Sequence, residues 1–384
     1  MRELYVALWD HLVACYQRLR KTAIEPLSQA PAAPRSIIVF STTSLGDLLL
    51  NTPSIRALRH SFPEAALTLV VHPKMYPFVA GYTRVDHIET WRNKYRDLPA
   101  ALVKLRRLTP DWVVMLHSNG PQDIHLAALS GASIILKESD DPHVHRWTSC
   151  KVASQDMHAI RKRLEMVSRL GCDSEDARME IPNPKSARGY GLKDSSARLI
   201  VGFQAGASEP YKRWPTAKFA ELANRLLGYS PSLEIVLTGT REEATLADAI
   251  MAKLVDKDRI HNFCGRCKLQ ELPGLIQEMD VLVTGDTGPL HVAIAQQVST
   301  VSLFSATNPK WTGPIQDIAL HRVIKKPGEN VQAHLRRKLR DETVMEIIQV
   351  AEVYHAAIEL LEQKRSQVSA GSLFYEDVRK GPAA

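Results

Sequence analysis

Short apolar runs alternate with longer amphipathic stretches along most of the chain. Runs such as Ser36 to Phe40 and Trp112 to Leu116 are almost continuously apolar, as in strands that a parallel sheet buries on both faces. The stretch from Leu48 through His60 instead repeats its apolar residues at helical spacing. This alternation of strand and helix predicts an α/β fold with a doubly wound parallel sheet.

The alternation stops and restarts once. The interruption contains Ile181-Pro182-Asn183-Pro184, and we interpret the polar stretch that continues to Ser196 as a linker between domains. Beyond it, strands separated by helices are predicted at 198–203, 234–238, 281–283 and 300–304. Two α/β halves in succession predict two Rossmann-like domains, at 36–185 and 197–342, that face a central cleft.

Both ends of the chain lie outside these two domains. Residues 1–35 are predicted to form an amphipathic helix followed by a Pro-containing linker. This helix could pack on its own domain, or its aromatic residues and basic end could lie in a membrane interface. Residues 343–384 are predicted to form a helix to about Gln363 and then a poorly ordered polar tail.

The composition narrows the class of protein. A chain of 384 residues with 45% hydrophobic and 24% charged residues is long enough for two globular domains. No apolar run approaches the roughly 18 residues that span a bilayer. Glu3 and Asp10 interrupt the apolar residues at the N-terminus, unlike in a secretory signal. We therefore expect a cytoplasmic protein.

The charge of the chain indicates what it binds. A net charge of +7 and a pI of about 9.1 favour an anionic partner, either a phosphorylated substrate or an acidic membrane surface. No nucleic-acid-binding signature accompanies the charge, so no nucleic acid partner is expected. Cys264 and Cys267 have metal-binding or redox spacing, but no second ligand pair accompanies them, and no metal is expected there.

The stretch from Leu282 to His291 is the strongest candidate for a phosphate site. An apolar strand leads into a Gly-rich turn, and a helix is predicted to start at Pro289 with Asp286 or Thr287 as its cap. Free N–H groups and the dipole at a helix N-terminus favour an anion, most naturally a diphosphate. An ordinary strand-to-helix connection is the alternative. The candidate ligand-binding residues here are Asp286, Thr287, Gly288, Pro289, Leu290 and His291.

A second Gly-rich turn follows the first predicted strand. In Thr43-Ser44-Leu45-Gly46-Asp47, a carboxylate comes directly after a glycine at a strand-to-helix junction. Asp47 could cap the helix or act as a general base. One carboxylate is enough if the leaving group is already a good anion, whereas glycoside hydrolysis needs two. The predicted strand Trp112 to Leu116 is followed by His117, Asn119 and Gln122. These three residues are candidate acceptor contacts.

Two further turns follow strands of the second predicted domain. The loop from Gly206 to Pro215 contains adjacent cations, Lys212 and Arg213, which could be solvated or could clamp a phosphate. The next turn contains Glu242 and Glu243, which could bind ribose hydroxyls or simply complement a helix dipole.

With these turns assembled, the sequence resembles glycosyltransferase family 9, the ADP-heptose:lipopolysaccharide heptosyltransferases. The resemblance covers roughly residues 36 to 316 and is carried by four segments: Thr42 to Asp47 with Thr52-Pro53 and Leu58-Arg59, Gly206-Ala207 with Lys212 to Pro215, Leu237 to Gly239 with Glu242-Glu243, and Asp286 to Ala293. It implies a GT-B fold and the inverting transfer of a heptose, or a related sugar, from an ADP-activated donor. The implied acceptor is a lipopolysaccharide core or another anionic surface glycan or glycolipid, reached at the cytoplasmic face of the inner membrane.

The resemblance also implies roles for the first turn. Asp47 would deprotonate the acceptor hydroxyl, and Ser44 and Gly46 would lie beside the acceptor. A GT-B-type sugar-nucleotide epimerase and a non-catalytic nucleotide-sugar-binding protein are the alternatives. The Gly46-Asp47 turn fits a transferase better than an epimerase, and a binding protein would need no base.

On the donor side, the resemblance assigns the departing diphosphate to Lys212 and to the backbone from Thr287 to Leu290. Glu243 or Glu242 would bind the ribose. No cofactor and no protein-bound metal are expected, because Lys212 and the helix N-terminus can neutralise the leaving charge.

Overall fold

The computed structural model describes residues 2–20, 23–118, 120–184, 189–192, 198–305, 307–326 and 342–379. The chain divides into two compact units, Met1–Pro184 and Lys185–Ala384. Each unit contains one sheet, and every pairing between the described strands is parallel. The α/β prediction is therefore confirmed.

The sheet of the first unit has the strand order β3-β2-β1-β4-β5. Its strands are β1 (Ser36–Ser41), β2 (Ala66–Val71), β3 (His87–Thr90), β4 (Trp112–His117) and β5 (Ile134–Lys137). Residues 36–41 are all buried, as the continuous apolar run predicts. Because β1 and β4 are parallel neighbours, the segments that follow them lie side by side at one edge of the sheet.

The sheet of the second unit has the strand order β11-β10-β9-β6-β7-β8. Its strands are β6 (Leu199–Gln204), β7 (Leu233–Thr238), β8 (Ile260–Asn262), β9 (Val281–Gly285), β10 (Ser299–Phe304) and β11 (His321–Lys325). Here β6 and β9 are parallel neighbours at the centre of the sheet. The 206–215 loop, which follows β6, and the turn after β9 therefore lie side by side at the same edge of the sheet.

Helices connect most of the strands, and one further helix lies at each end of the chain. They are α1 (Arg2–Arg20), α2 (Leu45–Ser61), α3 (Tyr76–Val79), α4 (Leu98–Arg107), α5 (Pro121–Leu129), α6 (Pro142–His145), α7 (Ala159–Ser168), α8 (Thr216–Tyr229), α9 (Ala244–Met251), α10 (Leu272–Gln277), α11 (Gly288–Ala295), α12 (Pro309–Thr312) and α13 (Val350–Arg379). Short 3-10 helices are found at Leu27–Gln29, Pro73–Met75, Tyr95–Asp97, Pro210–Lys212, Arg241–Glu243, Ile318–Leu320 and Glu342–Met345.

Helix α2 carries the turn after β1 and contains Pro53 in its interior. A proline has no N–H for the carbonyl four residues earlier, which here belongs to Leu49. The hydroxyl of the fully buried Thr52 donates to that carbonyl at 2.7 Å and accepts from the Glu180 N–H at 3.1 Å. Thr52 therefore replaces the missing hydrogen bond and also connects α2 to Glu180, near the end of the first unit.

Helix α1 packs on α5 as part of the first unit. Val13 is fully buried in the core of that unit. The buried Asp10 carboxylate accepts from Trp147 Nε1 at 2.7 Å and lies 2.9 Å from His125 Nε2. The inner face of the helix thus belongs to the domain core, whereas its outward face exposes three leucines, Leu8, Leu12 and Leu19.

Several elements differ from the prediction at their ends. Helix α2 begins at Leu45 rather than Leu48, so Gly46 and Asp47 lie in its first turn. Helix α11 begins at Gly288 rather than Pro289. Helix α13 continues to Arg379, beyond Gln363, where the prediction ends this helix. Residues 380–384 lie outside the described part of the chain.

The hydrophobic pattern also misses several elements completely. Among them are β5, β8 and β11, which are short or lie at the edge of a sheet, and the nine-residue helix α5. Strand β8 has only three residues. In β11 only His321 is buried, and the residues after it alternate between partly buried and exposed because β11 is an edge strand.

Replacing Thr52 by Val tests the repair of α2. The valine can neither donate to Leu49 nor accept from Glu180, and a buried group without its partner costs about 1–3 kcal/mol. We expect T52V to lower the urea midpoint of unfolding, followed by circular dichroism. Thr68→Val is the matched control, since the buried Thr68 hydroxyl in β2 has no hydrogen-bond partner among the described residues. An equal fall in both variants would contradict the assignment.

Candidate functional site

The Asp47 carboxylate lies in the first turn of α2, directly after β1. The Ser44 hydroxyl donates to Asp47 Oδ2 at 2.7 Å, and the Thr43 hydroxyl donates to the same oxygen at 3.0 Å. The Asp47 side chain remains 25% exposed. The carboxylate is therefore fixed in one orientation while one side of it stays open to solvent.

The other Asp47 oxygen faces a buried arginine from α7. Arg163 Nη2 lies 3.2 Å from Asp47 Oδ1, and Arg163 Nη1 donates to the Asp47 backbone carbonyl, also at 3.2 Å. The Arg163 side chain is only 6% exposed. A cation removed from water interacts more strongly with a carboxylate than a cation in a surface ion pair does.

These partners determine the charge state of Asp47. Burial alone would raise the pKa of Asp47, but the charges of His117 and Arg163 and the hydroxyls of Ser44 and Thr43 outweigh it and lower the pKa to about 2. Burial lowers the pKa of His117 to about 4, so that imidazole is neutral at pH 7. At neutral pH, the ionised Asp47 is therefore held by the cation of Arg163.

His117, at the end of β4, joins the same cluster. Its Nδ1 lies 2.7 Å from Thr43 Oγ1 and 3.5 Å from Asp47 Oδ2. Because the Thr43 hydroxyl donates to Asp47, we assign the proton of the neutral imidazole to Nδ1, which then donates to Thr43. This tautomer leaves Nε2 as an acceptor, which suits a hydroxyl-bearing ligand.

The other acceptor candidates are less directly placed. Gly46 is buried in the first turn of α2. The side-chain amide of Gln122 donates to the backbone carbonyl of Asn93 at 2.6 Å and so holds a loop. Asn119 lies outside the described residues. The structure thus brings Ser44 and His117 to Asp47, but not the Gln122 amide.

In the second unit, the turn after β9 leads into α11. The predicted side-chain cap does not form: the Thr287 hydroxyl lies 2.9 Å from Thr284 Oγ1 and makes no capping bond, while Asp286 contacts other side chains. Pro289, Leu290 and His291 follow in the helix, and the last two are buried. The start of α11 is therefore not covered by the side chain of either predicted cap.

Lys212 and Asp286 form an ion pair between two loops. Lys212 Nζ lies 2.8 Å from Asp286 Oδ2, and the Thr312 hydroxyl donates to Asp286 Oδ1 at 3.1 Å. Burial would raise the pKa of Asp286, but the charges of Lys212 and His291 outweigh it and lower the pKa. Lys212 is thereby fixed beside the start of α11.

Gly285 allows the two loops to approach each other. A Cβ atom on Gly285 would lie 2.9 Å from the Lys212 backbone carbonyl oxygen, closer than such contacts occur. Glycine is therefore the residue that fits where the 206–215 loop crosses the end of β9.

Arg213, the other cation of the 206–215 loop, is bound to the backbone of that loop. The Arg213 guanidinium donates to the Ala207 backbone carbonyl from Nε at 3.0 Å and from Nη2 at 2.8 Å. These bonds close the 206–215 loop on itself. The predicted phosphate fork of Arg213 is therefore directed at its own backbone in this structure.

The two acids of the turn after β7 differ in environment. Glu243 Oε2 accepts from the Thr240 N–H at 2.9 Å and from Gln204 Nε2 at 3.4 Å. A Cβ atom on Gly206 would lie only 2.0 Å from Glu243 Cδ, so the carboxylate packs directly on the end of β6. Glu242 is exposed. Glu243 is accordingly the acid that adjoins the 206–215 loop.

Three contacts in these clusters were not predicted, and they come from Thr43, Arg163 and Thr312. The sequence pattern could have indicated the role of Arg163. It lies on the buried face of α7 with Ile160, Leu164 and Val167, a position where a cation requires a partner. Thr312 carries no comparable signal, because its role depends on the position of α12.

Two kinds of feature are absent from the described residues. Within the described ranges, no group of three or more His, Cys, Asp or Glu side chains is arranged to hold a metal ion. Likewise, none of the helices described is both long and apolar enough to span a bilayer.

Sequence comparison identifies related proteins. The profile of glycosyltransferase family 9 (heptosyltransferase) matches residues 125–338, more than half of the chain. The chain is 34% identical over 134 residues to lipopolysaccharide heptosyltransferase 2 of Salmonella typhimurium, covering 34% of this chain and 37% of that protein. It is 33% identical over 247 residues to lipooligosaccharide heptosyltransferase 2 of Haemophilus influenzae, covering 63% and 60%. The chain thus spans less than two thirds of either relative's length.

Structural comparison agrees on the fold. The structure of Escherichia coli ADP-heptose LPS heptosyltransferase II matches with a TM-score of 0.70 at 19% identity, covering 86% of this chain and 99% of that one. Together with the two parallel-sheet units, this likeness confirms the GT-B fold class. The profile match over more than half of its length shows that the chain belongs to glycosyltransferase family 9.

Proposed function

We propose that this protein is an inverting glycosyltransferase that moves a heptose, or a related sugar, from an ADP-activated donor to a lipopolysaccharide-core or other surface-glycan acceptor. Family membership and the names of the two relatives support the sugar and the acceptor, and the name of the Escherichia coli enzyme supports the donor. The observation that carries the proposal is the ionised carboxylate of Asp47, held by Arg163 on one oxygen and by two hydroxyls on the other.

Asp47 is the proposed general base. A carboxylate with a pKa of about 2 is a weak base in the resting protein. One of the groups that lower this pKa is the hydroxyl of Ser44, an exposed residue. An acceptor hydroxyl that takes the place of Ser44 on Oδ2 would donate its own hydrogen bond to the base, which places the proton to be transferred on that oxygen.

The proposed reaction is a single displacement. The acceptor oxygen forms a bond to the anomeric carbon while the bond from that carbon to the diphosphate oxygen breaks. The acceptor proton passes to Asp47, and the electron pair of the broken bond leaves with ADP. Attack opposite the leaving group inverts the configuration, and ADP needs no general acid because it already leaves as an anion.

We assign the diphosphate to Lys212 and to the backbone from Thr287 to Leu290. Asp286 holds Lys212 Nζ at 2.8 Å beside the start of α11, and the ammonium has further N–H donors for a phosphate oxygen. The helix start adds a positive dipole end. Lys212 and α11 therefore supply positive charge without requiring a resident metal.

Glu243 is the proposed ribose ligand. Its carboxylate lies against Gly206 at the end of β6, whereas Glu242 is exposed. A carboxylate at the end of a neighbouring strand is the usual acceptor for ribose hydroxyls in Rossmann-like domains.

We further propose that the outward face of α1 contacts the cytoplasmic face of an anionic membrane. Leu8, Leu12 and Leu19 are 52%, 47% and 84% exposed and lie along one stripe of the helix. Arg18 and Arg20 end the helix. Apolar side chains beside basic ones match the charge and polarity of an anionic lipid interface, where a lipid-linked acceptor would be found.

The Asp47→Asn variant tests the base. The amide keeps the shape of the carboxylate but cannot take a proton, so kcat for transfer to heptose-deficient lipopolysaccharide core should fall by about 10²–10⁴-fold. Binding of ADP-heptose, measured by calorimetry, should be unchanged. Asp173→Asn, which alters an exposed carboxylate of the same unit, should retain full transfer. Equal loss of transfer and of donor binding in D47N would contradict the role of Asp47.

Calorimetry with ADP-heptose, UDP-sugars and GDP-sugars tests the donor. We expect binding of ADP-heptose alone, and Lys212→Met should weaken it by about 10- to 100-fold, because a hydrogen bond to a charged group contributes about 1.5–3 kcal/mol. K212R should recover part of the affinity, and Lys257→Met, at an exposed lysine of the same unit, should have no effect. Binding of a different sugar nucleotide would refute the ADP donor. Binding of none would favour a non-catalytic role.

Co-sedimentation with phosphatidylglycerol-containing vesicles tests the membrane contact. The double variant L8S/L12S should bind these vesicles roughly tenfold more weakly, because it removes the apolar area that would enter the interface. Val255→Ser replaces a 90% exposed residue of the second unit and should bind as the wild type does. Transfer to a soluble acceptor should be the same in all three proteins. Unchanged sedimentation of L8S/L12S would refute this contact.

A further inference from the structure

Thr42, the residue after β1, connects the two side chains that meet beside Asp47. It directly precedes Thr43, and its N–H donates to the His117 backbone carbonyl at 3.1 Å. The Thr43 hydroxyl donates to Asp47, and His117 Nδ1 lies 2.7 Å from the same hydroxyl. A displacement of Thr42 would therefore move both side chains relative to the carboxylate.

The sheet alone does not fix Thr42. Pairing between β1 and β4 is regular as far as Met115. The next pair is Ser41 with His117, so Leu116 has no partner in β1. A bulge of this kind interrupts the ladder and redirects the side chains near it. Thr42, which directly follows the bulge, therefore needs contacts from outside the sheet to hold its position.

Asp123, in α5, supplies such a contact from a fully buried position. Its Oδ2 accepts from the Thr42 hydroxyl at 3.3 Å, and its Oδ1 accepts from Trp91 Nε1 at 2.6 Å. Burial raises the pKa of Asp123, and the Ser118 hydroxyl, directly after His117 in the chain, is one of the hydrogen-bond partners that offset this effect. One carboxylate thus acts on the ends of both β1 and β4.

A gain in stability does not account for this carboxylate. Among the described residues no cation forms an ion pair with Asp123, and Lys137, which donates to the Ser118 hydroxyl at 2.6 Å, acts on it only through its charge. Burying a carboxylate without a cation in contact opposes folding. Its partners are an indole N–H and hydroxyls, which can all donate, and an ionised carboxylate accepts such bonds more strongly than a neutral group does. This chemistry suits the rigid placement of its donors.

We propose that Asp123 is a positioning residue that keeps Thr43 and His117 in place beside the proposed base. That Asp47 acts as a base rests on the proposed function, whereas the effect of Asp123 on the contact between Thr43 and His117 does not. A misplacement of about 1 Å at a catalytic group can lower a rate by about 100-fold. The donor residues lie in the second unit, so their affinity for the donor should not depend on Asp123.

Nitrogen NMR of the His117 imidazole tests the proposal without any transfer. In protein labelled with nitrogen-15 histidine, the ring shifts distinguish the two neutral tautomers, and the spectrum of H117Q identifies the signal. The wild-type proton should be on Nδ1, which donates to Thr43. In Asp123→Leu this contact should loosen, so the Nε2 tautomer should become the major form. Unchanged His117 shifts in D123L would overturn the positioning role.

Transfer kinetics test the consequence for the proposed base. D123L should lower kcat by about 100-fold while the Kd of ADP-heptose, measured by calorimetry, stays unchanged. Asp123→Asn keeps an acceptor for Trp91 and a polar partner for Thr42, so its kcat should stay within about tenfold of the wild type. Loss of donor affinity in D123L, or equal loss of kcat in D123N and D123L, would contradict the proposal.

Asp10 provides the matched control, because it is a second buried carboxylate of the same unit that accepts from a tryptophan. Its partners are His125 and Trp147 rather than the side chains beside Asp47. Asp10→Leu should lower the urea midpoint of unfolding about as much as D123L does. Its kcat with a soluble acceptor and its His117 shifts should match the wild type. An equal fall of kcat in D10L and D123L would reduce the effect to general destabilisation and refute positioning.

These measurements separate the proposal from the proposed function. A tautomer change in D123L, in a protein that neither binds ADP-heptose nor transfers a sugar, would retain the positioning role and refute the transferase. Transfer that is lost in D47N but unchanged in D123L would retain the base and refute the role of Asp123.

Discussion

The parallel direction of the strands is the constraint on which the candidate site depends. In a parallel sheet the carboxyl ends of all strands lie at one edge, so side chains from distant parts of the sequence meet there. Thr43 and His117 are 2.7 Å apart because β1 and β4 are neighbours. Lys212 and Asp286 are 2.8 Å apart because β6 and β9 are neighbours. Each unit thus gathers its polar side chains at a single sheet edge.

Each of these clusters contains a partly buried ion pair with two opposing effects. Arg163 fixes the Asp47 carboxylate and keeps it ionised, but the same charge makes it a poor base. A weak base can still act if it accepts the proton late, when the new bond has made the attacking hydroxyl more acidic. In the second unit, Asp286 similarly fixes Lys212 while reducing the net charge that a diphosphate would meet. In the proposed roles of Asp47 and Lys212, preorganisation thus comes at the expense of intrinsic reactivity.

The sequence predicts those features that depend on neighbouring residues. Both sheets, the Gly46-Asp47 turn and the turn after β9 were predicted, because a strand, a glycine and a helix start follow one another within a few positions. Arg163 was missed because its partner Asp47 is 116 positions away. The Arg213 fork and the two candidate caps had plausible local patterns, but the folded loops satisfy these side chains differently. Features formed by neighbouring residues can be predicted from the sequence, whereas the partner of a long side chain depends on tertiary structure.

One buried carboxylate, that of Asp10, anchors helix α1 to the first unit. Burial would raise the pKa of Asp10, but hydrogen bonds from His125 and Trp147 outweigh it and lower the pKa. Burial also lowers the pKa of His125, so its neutral ring can donate from Nε2 to Asp10 and accept the Tyr95 hydroxyl at Nδ1, 2.8 Å away. The anchor therefore stays intact at neutral pH. Because the same helix carries the outward leucines, Asp10 fixes the position of that apolar face relative to the core of the first unit.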